Sequence, residues 1–221
     1  MEKKLNGKKV REIRIKDEFY EQKKDLIEVW KKQGINNKIL QAFLDVPRQN
    51  FVLKKFYDKS YDDTPLDIGY GQTISQPTTA IMMLNWLDAD EKDNVLEIGA
   101  GSGYNAALLS KLCKEVISTE RIKELVDFAK ENIKRLEIKN VQIKYAPKDL
   151  GYKEKAPYDK IIVTCGADEV PKELFDQLKE EGILLIPIGE YGNQMMLKLR
   201  KVKDTIEQEN LGWFSFVPLV R

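Results

Sequence analysis

The sequence predicts an α/β fold in which a mostly parallel sheet is covered by helices on both faces and carries an extra helical layer at its N-terminus. Three observations predict it. From residue 94 onward, short continuous apolar runs alternate with amphipathic stretches, the pattern of parallel strands buried on both faces and joined by helices. One of those runs, Asn94-Val95-Leu96-Glu97-Ile98, ends in glycines at positions 99, 101 and 103 and passes into helix-prone Asn105-Ala106-Ala107-Leu108-Leu109, a strand–turn–helix unit. Before residue 50, two segments with apolar residues at helical spacing precede the first such strand, which sets them outside the sheet.

Residues 1–16 carry seven basic and two acidic side chains without apolar periodicity, which predicts a frayed basic tail. Over 17–32, Phe19, Leu26, Ile27 and Trp30 recur at helical spacing, and Gly34 stops the helix. A second helix over 37–46 buries Ile39, Leu40, Phe43 and Leu44 and is closed by Pro47. Residues 57–77 show few regular signals but hold the apolar anchors Leu66, Ile68 and Ile74 among Gly, Pro and hydroxyl residues, so they read as an ordered site loop. A helix is expected over 78–87, then a strand over 94–98, a helix over 103–113 and a strand over 116–119. A helix over 121–136, strands over 141–145 and 160–164, a helix over 171–180 and a strand over 182–188 follow. Two late strands, 195–201 and 214–219, joined by a polar stretch, are expected to pair as an antiparallel hairpin at the sheet edge. Residues 17–221 thus form one domain, with helices and site loop over 17–77 and the sheet core over 78–221.

Composition narrows the function. A chain of 221 residues suits one core burying roughly 70% of its unfolded surface. With 37 basic and 36 acidic residues the net charge is +1, so no global field would recruit nucleic acid or an anionic membrane, and neither is expected as a partner. The charged fraction of 33%, rich in Lys and Glu, suits an ion-paired surface of the kind heat-adapted proteins carry. Cys113 and Cys165 sit in unrelated contexts, which indicates neither a disulfide framework nor a metal site and predicts a reducing, cytoplasmic setting. No apolar leader opens the chain, and no run approaches the roughly 20 residues a membrane span needs. The chain has no histidine, which removes Ser-His-Asp and Cys-His nucleophilic catalysis, His-ligated zinc and the usual near-neutral general base together.

Alternate glycines at 99, 101 and 103 let the main chain take positive φ and approach a ligand closely, while the helix that follows offers free N–H groups at its positive end. The turn is therefore predicted to cradle a cofactor. A dinucleotide fingerprint needs G-x-G-x-x-G, but Tyr104 holds the place of its last glycine and Gly103 comes one residue early. The pattern is instead E-x-G-x-G-x-G, starting at Glu97. A second acid, Glu120, ends the next apolar run at the distance where an α/β nucleotide fold sets a carboxylate on the ribose hydroxyls.

This turn resembles the first motif of the Rossmann-like class I S-adenosylmethionine-dependent methyltransferases. The wider sequence resembles one family among them. Val46-Pro47-Arg48 with Phe51-Val52, the stretch 61–66, Ile68-Gly69-Tyr70-Gly71-Gln72-Thr73-Ile74-Ser75-Gln76-Pro77, the glycine turn, Ala156-Pro157-Tyr158-Asp159 with Val163-Thr164, Gln177-Leu178 and Phe216-Val217-Pro218-Leu219 occur in the order found in protein-L-isoaspartate (D-aspartate) O-methyltransferases. The similarity runs from about residue 20 to the C-terminus, and the loop ending at Pro77 is its most specific part.

The resemblance implies methyl transfer from S-adenosylmethionine, leaving S-adenosylhomocysteine, to the free α-carboxylate of L-isoaspartyl residues in damaged proteins and peptides. The ester then closes to a succinimide that partly reopens as normal aspartate, which is protein repair. A carboxylate with a pKa of about 4 is already ionised at pH 7, so the transfer needs no base and a histidine-free chain suffices. Alignment and exclusion of water would carry the catalysis. By match to the family's motifs, Ser75 would be the catalytic-site residue and hydrogen-bond the substrate carboxylate. Gln72, Thr73 and Ile74 together with Ser75 would line the methyl-donor end of the cofactor, Glu97 with Gly99, Gly101 and Gly103 would hold its methionine portion, and Glu120 would accept from its ribose. Thr164, Cys165 and Gly166 would supply backbone to the substrate groove, closed by Val217, Pro218 and Leu219. No metal is implied, and a monomer is expected. Taken singly, Ser75 reads equally as a helix cap, and Thr164 and Cys165 as an ordinary strand end.

One departure stands out. Ala146-Pro147-Lys148 occupies the place of a Gly-Asp-Gly whose acid is expected near the adenine amino group. Either Asp149 serves from a shifted loop, or the cofactor is held less tightly, or the chain has left the repair role. Two alternatives therefore stay open: a related methyltransferase acting on a different peptide or small-molecule carboxylate, and a non-catalytic binding module of the same fold.

Overall fold

A computed structural model describes residues 18–203 and 205–220, so the basic tail expected over 1–16 lies outside the described residues. Two N-terminal helices, α1 (Tyr20–Lys32) and α2 (Asn37–Asp45), precede a two-stranded hairpin of β1 (Leu66–Gly69) and β2 (Gln72–Ile74) and a third helix, α3 (Pro77–Leu87). The core then alternates β3 (Asn94–Ile98), α4 (Tyr104–Leu109), β4 (Glu115–Glu120), α5 (Lys123–Arg135), β5 (Val141–Tyr145), β6 (Tyr158–Val163) and α6 (Lys172–Asp176). It closes with β7 (Leu178–Ile188), β8 (Gln194–Val202) and β9 (Thr205–Phe214).

The main sheet has the order β5-β4-β3-β6-β7-β8-β9. Its first five strands pair in parallel, and β8 and β9 add antiparallel. Because side chains alternate across a strand, register sorts the core into two layers. Val95, Val116, Ile162 and Leu185 fall in the larger cluster with residues of α1 to α5. Leu96, Ile117, Ile161 and Leu184 face the other way, toward Leu174 of α6 and the connecting segments. Helices thus cover both faces, but unequally. The N-terminal layer is pinned through Thr78, whose hydroxyl accepts from Trp30 Nε1 at 2.9 Å and donates to Asp63 Oδ2 at 2.7 Å.

Four elements depart from the expected spans. The helix expected over 103–113 stops at Leu109, and residues 110–113 continue only as turns, with Lys111 N donating to the Leu108 carbonyl at 3.1 Å and Leu112 N to the Leu109 carbonyl at 2.9 Å, three residues back instead of four. The helix expected over 171–180 keeps only five residues, because the chain at Leu178 is already paired with Tyr158 in the sheet. Residues 57–77 are not loop throughout: β1 and β2 join through Tyr70 and Gly71, both at positive φ as a tight hairpin turn requires, but their strands are too short to show a period. The last strand is Thr205–Phe214 rather than 214–219. Apart from the exposed Ile206, residues 205–210 are polar because they form the exposed sheet edge, and the apolar residues after Phe214 leave the sheet to pack beside the site.

Candidate functional site

A cleft opens beyond the carboxyl ends of β3, β4 and β6, where the order of parallel strands reverses between β3 and β6. That switch point is where open α/β sheets bind ligands. The glycine turn forms its floor. Gly99 has φ +93°, and a Cβ there would lie 2.6 Å from Thr164 Oγ1, so no larger residue fits. The Gly99 and Ala100 N–H groups donate to the Thr119 carbonyl at 2.9 and 3.0 Å. Thr164 sits across from them with Oγ1 2.7 Å from the Gly99 carbonyl and 3.0 Å from that of Ile98, clipping the end of β6 to the end of β3.

Two acids stand on neighbouring strands with opposite surroundings. Glu120, at the end of β4, lines the cleft and accepts from Gly101 N at 2.9 Å through Oε2, and from Arg121 N and Ile122 N at 2.7 and 2.9 Å through Oε1. These three bonds fix the carboxylate and leave one of its four lone-pair sites, on Oε2, free for a further donor. Glu97 is fully buried under α4, where its carboxyl accepts from Ser118 Oγ and from Asn105 Nδ2, the latter at 2.8 Å. Burial pushes its pKa up to about 7, the two hydrogen bonds pull it down, and the Glu120 charge adds to the rise.

The roof comes from two distant parts of the chain. Gln72 and Thr73 of the hairpin cover one side, and Val217, Pro218 and Leu219 cover the other. Gly166 ties the C-terminal segment down: its N–H donates to the Val217 carbonyl at 2.8 Å and its carbonyl accepts from Leu219 N at 2.7 Å. Gln194 clamps the same segment, accepting from Phe216 N at 2.9 Å. Cys165 lies on the cleft wall with its thiol pushed up to about 12 by burial, reinforced by Glu120 and Glu97, so it stays neutral.

Of the residues expected at the site, Gln72, Thr73, Gly99, Gly101, Glu120, Thr164, Cys165, Val217, Pro218 and Leu219 line this one cleft. Thr73, Ile74 and Ser75 line an adjoining hollow that shares Gly99, Gly101 and Thr164 with it. Ser75 does not cap α3: Gln76 precedes the helix, and Asp63 Oδ1 accepts from Thr78 N at 2.8 Å. Glu97, Gly103 and Gly166 line neither space. Gly103, with φ +85°, lets the turn pack against Ala129 of α5, whose Cβ would lie 3.2 Å from an added Cβ. In the departing segment, Ala146 and Asp149 line the cleft, whereas Pro147 and Lys148 do not. Sequence reasoning missed Tyr104 and Asn105, which line the hollow next to Ser75, and Arg48 behind it. Their signals were present, since Tyr104 and Asn105 directly follow the glycines.

The donor set fits S-adenosylmethionine: a turn that admits only glycine at its closest approach, a carboxylate fixed at the end of β4, and a cleft at the strand switch point. Fold and site together define a Rossmann-like class I S-adenosylmethionine-dependent methyltransferase. The family model "Protein-L-isoaspartate(D-aspartate) O-methyltransferase (PCMT)" matches residues 21–221. The protein-L-isoaspartate O-methyltransferase of Dictyoglomus thermophilum is 43% identical over 203 residues, covering 91% of this chain and 92% of that one. That of Pyrococcus horikoshii is 45% identical over 208 residues, covering 92% and 94%. A solved protein-L-isoaspartate O-methyltransferase superposes with a TM-score of 0.82 at 33% identity, over 90% of this chain and 66% of that longer one. A Plasmodium falciparum protein described under the same activity, solved in complex with S-adenosyl-L-homocysteine, has a TM-score of 0.75 at 32% identity over 89% and 97%. The chain belongs to the protein-L-isoaspartate(D-aspartate) O-methyltransferase family.

Proposed function

We propose that this protein methylates the free α-carboxylate of L-isoaspartyl residues in damaged proteins and peptides, with S-adenosylmethionine as donor. The observation that carries the reading is the Ser75 hydroxyl. It lines the hollow beside the glycine turn and has no hydrogen-bond partner among the described residues, so it is free to donate to a carboxylate. S-adenosylmethionine, when bound, supplies a methyl group on a positively charged sulfur.

The chain's own residues bind and align. Gly99 and Gly101 give main-chain contact to the methionine portion, Glu120 accepts from the ribose hydroxyls, and Asp149 takes the adenine-amino position left empty by Pro147. Thr164 and Gly166 offer peptide groups to the substrate backbone, and the 217–219 segment shuts out water. No proton transfer is required of any side chain. That agrees with a site whose thiol is held neutral and whose buried acid, Glu97, is sealed from the cleft. No helix among the described residues is long and apolar enough to cross a membrane. The two buried free cysteines fit a cytoplasmic setting, and a monomer needs no completion of the site from another chain.

The test is incorporation of labelled methyl groups into an isoaspartyl peptide and its aspartyl isomer. Labelling of the first and not the second is expected. Equal labelling of both would refute the assignment.

A further inference from the structure

Arg48 has a place in the site that no motif assigns. Its side chain is fully buried. Nε donates to the Ser60 carbonyl at 2.7 Å and Nη2 to the Ser75 carbonyl at 2.8 Å. The guanidinium carbon lies 4.9 Å from the centroid of the Tyr104 ring. Two of its neighbours, Ser75 and Tyr104, are therefore walls of the hollow expected to receive the substrate carboxylate.

The charge on Arg48 is not balanced. No carboxylate forms an ion pair with it among the described residues, and Asp63, which attracts it from a distance, is committed to Thr78. Its Nη1 and the Tyr104 hydroxyl are both buried without a well-formed hydrogen bond, and their nearest polar company is each other, an attraction that favours the charged arginine. A cation buried without an opposite charge is costly, and a buried donor short of a good acceptor adds to the cost. Tyr104 cannot supply the missing charge, because burial pushes its hydroxyl well above the usual tyrosine range. The hollow has no charged side chain among its lining residues. Any anion held against Ser75 thus meets one nearby positive charge, set behind the serine's main chain.

Resting on the carboxyl-methylation reading, we propose that Arg48 is the positioning residue of the acceptor subsite: it holds the Ser75 carbonyl, and with it the aim of the Ser75 hydroxyl, while its unpaired charge favours the substrate's α-carboxylate. The recessed placement has a chemical reason. A cation lining the hollow would pair tightly with the carboxylate, dulling its nucleophilicity, and would repel the positive sulfur of the donor. Behind a peptide group, the same charge attracts the anion through a low-dielectric wall without touching it.

The test compares peptide binding, not turnover. Isothermal titration of the S-adenosylhomocysteine-loaded protein measures an isoaspartyl peptide against the same peptide with the α-carboxylate as a carboxamide. A wild-type protein with no preference for the acid refutes the carboxyl-methylation reading itself. Given that preference, Arg48→Gln is expected to lower the acid-to-amide ratio at least about tenfold, the effect of ~1.4 kcal/mol, while Arg48→Lys holds it within about threefold. A merely structural role would weaken both peptides equally and leave the ratio unchanged, which would overturn the proposal. Should Arg48→Gln lose S-adenosylhomocysteine binding through misfolding, Arg48→Lys decides alone: a retained ratio upholds the charge, and a collapsed one overturns it. Ser75→Ala, alone and in the Arg48→Gln background, tests the anchoring. Costs in acid-peptide affinity that simply add would refute action through Ser75.

Discussion

Replacing Gly99 with alanine isolates the closest approach in the site. The added Cβ would stand 2.6 Å from Thr164 Oγ1, and that oxygen is anchored between the Ile98 and Gly99 carbonyls, so it has little room to yield. An L-residue at φ +93° also carries backbone strain of about 1–2 kcal/mol. Overpacking of this kind adds about 1–3 kcal/mol. A loss near 3 kcal/mol would lower Tm by roughly 6–12 °C for a chain of this size. Relief by tilting the turn would displace Gly101 from Glu120 and weaken S-adenosylhomocysteine by at least about tenfold, or ~1.4 kcal/mol. Calorimetric unfolding and titration read the two effects separately. Adding Thr164→Ala removes the atom in conflict and should restore part of the Tm, while the strain at φ +93° persists. Unchanged stability and affinity in Gly99→Ala would refute the close contact, and no recovery in the double variant would show that Thr164 is not its partner.

Two further outcomes follow from the acids. Glu97 keeps its proton in the folded protein up to about pH 7 but releases it from an unfolded value of 4.5, so folding stability should fall as pH rises through that window and level off above it. The gap is worth about 3 kcal/mol, and Glu97→Gln should flatten that part of a urea-unfolding profile; an unaltered slope would disprove the buried, protonated carboxyl. Asp149→Ala should weaken S-adenosylhomocysteine about tenfold, or ~1.4 kcal/mol, but leave an analogue with hypoxanthine in place of adenine unaffected. Equal losses on both ligands would remove Asp149 from the adenine amino group.

The sequence alone determined the class of fold, the glycine cradle, the acid at Glu120, the loop ending at Ser75 and the family, because each is written in neighbouring residues as a period, a spacing or a motif. Local signals also misled where a strand's environment differed from the usual one. The edge strand Thr205–Phe214 carries no apolar alternation, since much of it faces water, and residues 216–219 look like a strand because Phe216, Val217 and Leu219 pack on the core beside the site. Only the tertiary structure decided which residues meet. Strand register sets Glu97 beside Ser118 and turns it under α4, away from the cleft. Pairing of β3 with β6 brings Thr164 to Gly99 across 65 positions, and the fold of the N-terminal layer brings Arg48 to Ser75 across 27. Contacts over such separations depend on the packing of whole elements, and no local pattern along the chain encodes them.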